Sequence, residues 1–154
     1  SRTKGLPVMP FPASPAARMP ALAASSTEVV VGSPGRTVSG AARAGEVAAY
    51  TVTGGCSHGW DYSWSATTGP RGQGFAGVPE KGDQFGSRLA RIVGAPEAFV
   101  VGAPGEDIGA AVDAGAVTVI DAVARTSQEL SSNTTGVPGS AETGDWFGAA
   151  ASMF

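Results

Sequence analysis

The feature that most limits what this chain can become is a segment that occurs twice. Residues 29–47 read VVVGSPGRTVSGAARAGEV and residues 99–117 read FVVGAPGEDIGAAVDAGAV. They align without a gap, 70 residues apart (102 − 32), so that Gly32, Pro34, Gly35, Ala44 and Gly45 match Gly102, Pro104, Gly105, Ala114 and Gly115. A second pair interleaves with the first. Residues 77–86 read GVPEKGDQFG and residues 136–148 read GVPGSAETGDWFG; Gly82-Asp83 and Phe85-Gly86 return as Gly144-Asp145 and Phe147-Gly148, 62 residues apart (144 − 82). Constant spacing inside motifs with variable spacing between them is what a supersecondary unit with free loops produces.

Each copy reads as β structure. Residues 29–31, 47–52, 99–101 and 116–120 are short runs rich in β-branched or aromatic residues, bounded by Gly or Pro. The Gly-rich stretches 32–45 and 102–115 join them as long hairpins. Further strands are expected to begin at Phe85-Gly86 and at Phe147-Gly148, and residues 121–130 to form an outer strand and loop. The units are drawn at 28–76 and 77–135, with a further one opening over 136–154. Residues 1–27 are Ala/Pro-rich, and Pro12, Pro15 and Pro20 argue against a continuous helix or central strand there. That stretch reads as a linker or a degenerate first strand, with Phe11 as a worn remnant of the Phe-Gly element.

Composition agrees with a turn-dense all-β chain. The 154 residues include 23 glycines and 11 prolines, and only 15% are charged against about 25% in ordinary domains. The net charge is −3 with no basic block, which argues against nucleic acid as a partner. No stretch approaches the roughly 20 apolar residues that span a bilayer. Cys56 is the sole cysteine, which excludes an intramolecular disulfide.

The order Phe85-Gly86, then Gly102-Ala103-Pro104, then Asp113-Ala-Gly-Ala-Val resembles the FG-GAP repeat of integrin α-subunits and of many secreted bacterial proteins. Gly32-Ser33-Pro34 is a second such element with Ser for Ala, and Phe147-Gly148 a second Phe-Gly. The resemblance covers residues 28–154. It implies a partial β-propeller of about two four-stranded antiparallel blades, a fragment of a seven-bladed ring that needs other blades or chains to close. It also implies secretion or display at the cell surface. The motif residues suit such a scaffold: Phe85 and Phe147 as wedges between blades, Gly86 and Gly148 where backbones approach closely, and Ala103 and Ser33 at crowded positions. Pro104 and Pro34 would end the ladder. Asp83 and Asp145 would cap their own following backbone.

The sequence departs from the family at one point of chemistry. Many such blades carry an Asp-rich calcium loop between Phe-Gly and Gly-Ala-Pro. Here the span is SRLARIVGAPEAFV, whose only carboxylate is Glu97, so no calcium or other cofactor is expected.

Candidate chemistry is sparse. Cys56-Ser57-His58-Gly59-Trp60-Asp61 sets a thiol, a hydroxyl, an imidazole and a carboxylate close together. Adjacent side chains of an extended loop point apart, however, so neither a catalytic constellation nor a closed zinc site is expected there. Glu106, Asp107 and Asp113 sit in the second hairpin connection, which the resemblance implies shares a face with residues 142–145; they could receive a cation or a basic patch, or serve as a solvated loop. The matching first loop carries Arg36 and Arg43, and unlike loops of adjacent units would attract. Trp60, Tyr62 and Trp64 alternate, placing them on one strand face that could stack on a sugar, bury a partner or fill a core. The expectation is a non-enzymatic extracellular scaffold that binds a protein or carbohydrate through its loop faces. The alternative is an accessory module of a larger secreted hydrolase whose catalytic residues lie elsewhere.

Overall fold

Runs such as Val29-Val30-Val31 and Phe99-Val100-Val101 lack the apolar–polar alternation of a half-solvated sheet, which calls for strands covered on both faces. The computed structural model, which describes residues 21–24, 28–53, 63–69, 75–94, 98–121 and 126–151, shows how that demand is met. It contains strands and turns, with no helix among the described residues, and hence none long and apolar enough to cross a membrane.

The strands are β1 (Leu22–Ala24), β2 (Glu28–Ser33), β3 (Glu46–Thr53), β4 (Ser63–Gly69), β5 (Arg88–Arg91), β6 (Ala98–Ala103), β7 (Ala116–Asp121) and β8 (Thr126–Leu130). They form two antiparallel sheets in plain sequence order, β1-β2-β3-β4 and β5-β6-β7-β8. The register repeats as the sequence does: Gly32 faces Val47 and Ser33 faces Glu46, while Gly102 faces Val117 and Ala103 faces Ala116.

Side chains alternate across each sheet, so the faces can be followed by parity. Val30, Val47 and Ala49 of the first sheet meet Leu89, Phe99, Val101, Ala103 and Ile120 of the second in one core, with Ala23, Phe75 and Phe85. Phe85 is 0% exposed and packs on the Phe75 ring with centroids 5.8 Å apart at 47°. The sheets approach one another through β1 and β2 on one side and β5 on the other. The opposite faces also carry apolar residues: Val29, Val31 and Ala48 on the first sheet, Val100, Val117 and Val119 on the second, all half-buried.

Of the two readings of residues 1–27, a linker or a degenerate first strand, β1 agrees with the second, so the first sheet begins before residue 28. Two expectations need correction. A strand does follow Phe85-Gly86, starting two residues later at Arg88, but residues 148–151 form none. The Asp carboxylates cap backwards: Asp83 Oδ2 accepts the Glu80 N–H at 2.6 Å and Asp145 Oδ2 accepts the Glu142 N–H at 2.8 Å. Each therefore closes the turn ahead of the Phe-Gly element, because the chain after it is already committed to main-chain partners in the neighbouring hairpin.

Candidate functional site

Hydrogen bonding within the loops builds the candidate surface. In each hairpin connection a smaller hairpin is nested, with Val38 and Ala41, and likewise Ile108 and Ala111, exchanging N–H···O=C bonds of 2.8–3.1 Å. The first turns through Ser39 and Gly40, both at positive φ (50° and 88°); the second has positive φ only at Gly109 (65°). These are the φ patterns of the two primed hairpin turns, and each sequence supplies Gly where its turn type requires it. The N–H of Gly45 then donates to the Arg36 carbonyl at 3.0 Å, and that of Gly115 to the Glu106 carbonyl at 2.8 Å, so both loops fold back as compact tongues.

The segment carrying Gly-Asp-x-Phe-Gly is threaded beside each tongue. Gly82, Gln84 and Phe85 donate their N–H groups to the carbonyls of Ala42, Arg43 and Ala44; Gly144, Trp146 and Phe147 do the same to Val112, Asp113 and Ala114. Gly86 N–H then donates to the Gly102 carbonyl at 3.0 Å and the Gly105 N–H to the Asp83 carbonyl at 3.1 Å, tying the segment to the second sheet as well. A Cβ on Gly32 would overlap the Gly86 carbonyl oxygen, and one on Gly102 the Gly148 carbonyl oxygen, so glycine is required by backbone-to-backbone contact.

The motif residues therefore gather at the seam. Ala103 is 0% exposed beside Phe85, and Pro104 and Pro34 each follow directly on a strand end. Phe147, Gly148 and Ser33 are less covered than their counterparts Phe85, Gly86 and Ala103.

The three candidate acids part company. Glu106 is buried, 7% exposed, next to the Gly105 whose N–H bonds the threaded segment, and so is removed from the solvated rim expected of it. Asp107 and Asp113 remain exposed, and Asp107 Oδ1 accepts the Asp113 N–H at 2.8 Å. Their tongue meets residues 142–145 side by side: Thr143 Oγ1 accepts the Val112 N–H at 3.3 Å, and Glu142 and Asp145 are exposed nearby in sequence. Thr143 lies within the 142–145 stretch expected beside these acids, but nothing in the sequence marks it as the residue that bonds the tongue. In the first tongue Arg36 Nε lies 3.2 Å from Glu46 of its own sheet, so this cation pairs within its unit and not with the neighbouring loop.

Trp64 lies in β4 opposite Val52. Trp60, Tyr62 and the Cys56 to Asp61 cluster lie outside the described residues. Among the described residues no group of three or more His, Cys, Asp or Glu side chains gathers as a metal site. The exposed rim of Asp107, Asp113, Glu142, Thr143 and Asp145 can accept hydrogen bonds from a basic or hydroxyl-rich partner. No protein-family model and no curated protein matches the chain.

Proposed function

We propose that the two sheets are neighbouring FG-GAP-like blades of a β-propeller, and that the protein is an extracellular binding scaffold recognising a protein or carbohydrate through its tongue loops. The observation that carries this reading is the seam: one Gly-Asp-x-Phe-Gly segment hydrogen-bonds to the tongue of one sheet and to β6 of the next. Its second copy leaves the second sheet in the same manner. Approach through the opening strands β1, β2 and β5, with apolar residues on both faces of each sheet, is the packing expected of layers stacked around an axis. Binding is assigned to the tongues because a rigid double sheet displays them as exposed loops, where recognition residues concentrate.

The test is to screen the chain against immobilised glycans and extracellular-matrix proteins, with an Asp107→Asn/Asp113→Asn variant in parallel, which removes both charges but keeps the Oδ1 acceptor at 107 and a residue that tolerates positive φ at 113. The reading expects a saturable ligand that the variant loses while its thermal unfolding is unchanged. Equal binding by both proteins, or none in either screen, rejects the tongue rim as the recognition surface.

A further inference from the structure

The seam between the sheets has two halves, and the described residues carry a second example of each that meets no third sheet among them. On the second sheet, residues 145–148 repeat residues 83–86 with the same backbone bonds to the preceding tongue, yet Asp83 is 0% exposed whereas Asp145 is exposed. Trp146, beside it, is 59% exposed. On the first sheet, Ser33, Gly35 and Arg36 occupy the places of Ala103, Gly105 and Glu106; the latter three are buried and the former three exposed. The sheet faces follow suit. Val29, Val31 and Ala48 are half-buried where Phe99, Val101 and Thr118 are covered, and Val100 and Val117 are half-buried where Val30 and Val47 are covered.

We propose that the outer face of β5–β8, with residues 145–148, docks the outer face of β1–β4 of a second copy of this chain, head to tail. The template is the seam inside the chain, where the same two faces already mate. By that template the partner's Gly35 N–H donates to the Asp145 carbonyl as Gly105 donates to Asp83. The Phe147 ring is then covered by the partner's Val29, Val31 and Ala48. Charge favours this pairing: Glu106, next to the Gly105 that bonds Asp83 in the internal seam, has as its counterpart Arg36, next to Gly35, so that an exposed cation already shared with Glu46 would come near Asp145. The first tongue also carries Arg43, against Asp107 and Asp113 on the second tongue and Glu142 in the segment beside it. The contact is heterologous, so copies add in one direction and form a ring or an open filament according to the rotation per step. It does not depend on whether the tongues bind a ligand.

Sedimentation velocity or light scattering over a concentration series tests the proposal on the intact chain. The mass average should climb above the 15.2 kDa of one copy as concentration rises, and fall back as salt is raised and the charge pairing screened. A Gly35→Phe variant should stay at 15.2 kDa with an unaltered circular-dichroism melt, because Gly35 is exposed in the single copy. At the equivalent Gly105 of the internal seam a side chain would run into the Gly82 carbonyl. Arg36→Asp should weaken association several-fold and supplies the answer if the Gly35 variant misfolds. A parent chain that stays at one copy throughout, or variants that both associate as the parent does, would overturn the proposal.

Discussion

Phe85 and Phe147 stand at the same place in two copies of one segment, yet the first ring is wholly buried and the second only half so. Their main-chain surroundings hardly differ. Each donates its N–H at 2.9 Å to an Ala carbonyl of the preceding tongue, and each follows a residue at positive φ, Gln84 at 55° and Trp146 at 53°. The path of the segment is thus fixed by the tongue before it, whereas its burial is supplied by the sheet after it. Local sequence sets the geometry here; a tertiary neighbour sets the energetics.

The sharpest way to break this comparison is to remove the two rings. Phe85→Ala should cost about 3–5 kcal/mol in urea unfolding, the usual range for a buried aromatic. Phe147→Ala should cost less than half of that, since it surrenders less buried area. Equal costs would mean that the half-buried ring carries weight its exposure does not show.

Glycine gives the next contrast. Gly32→Ala forces a Cβ into the Gly86 carbonyl and should cost about 1–3 kcal/mol or more, as overpacking against a backbone that cannot yield. Gly40→Ala meets nothing within 4 Å and should cost about 1 kcal/mol, the penalty of positive φ alone. Chemical denaturation of both variants separates collision from conformation. A smaller step is expected at the caps. Asp83→Ala strands the part-buried Glu80 N–H and should cost about 1 kcal/mol or more, with Asp145→Ala well below it because water replaces the exposed bond.

The charged tongues should matter least for stability. Arg36→Ala removes an exposed pair and should change unfolding by under about 1 kcal/mol, less again at high salt. Calcium should leave the melting midpoint where it is, since the loop after β5 offers only Glu97; a rise with added calcium, reversed by chelator, would show a site that the reading of this loop overlooks.

The inner strands were legible in the sequence because they carry the repeated motif with its β-branched runs, and β2, β3, β6 and β7 fall within one or two residues of those runs. The outer and opening strands were legible only through their place between the motifs: β5 follows Phe85-Gly86 and β8 lies within residues 121–130, both as expected, without a pattern of their own. β1 is Leu-Ala-Ala, β4 is Ser-Trp-Ser-Ala-Thr-Thr-Gly and β8 is Thr-Ser-Gln-Glu-Leu, none with a clear apolar period. The burial of β8 runs exposed to intermediate, as suits the outermost strand of its sheet, so it needs few apolar residues and leaves little trace. The candidate site was partly readable. Asp107 and Asp113 stay on an open rim beside residues 142–145, but Glu106, next in sequence to Asp107, turns inward because the Gly105 N–H is drawn to the Asp83 carbonyl. No local pattern distinguishes those neighbours; only the arrival of a segment more than twenty positions upstream does.

Around its buried core, the joint between the sheets is aligned by N–H and C=O groups, which every residue but proline possesses in full. Such a fastening asks for identity at very few places, namely a missing side chain at the close contacts and a ring to fill the gap. Evolution is left free to rewrite nearly everything else. An architecture of this kind can survive long after resemblance between its sequences has eroded, and its loops can lengthen or change charge without loosening the frame that holds them.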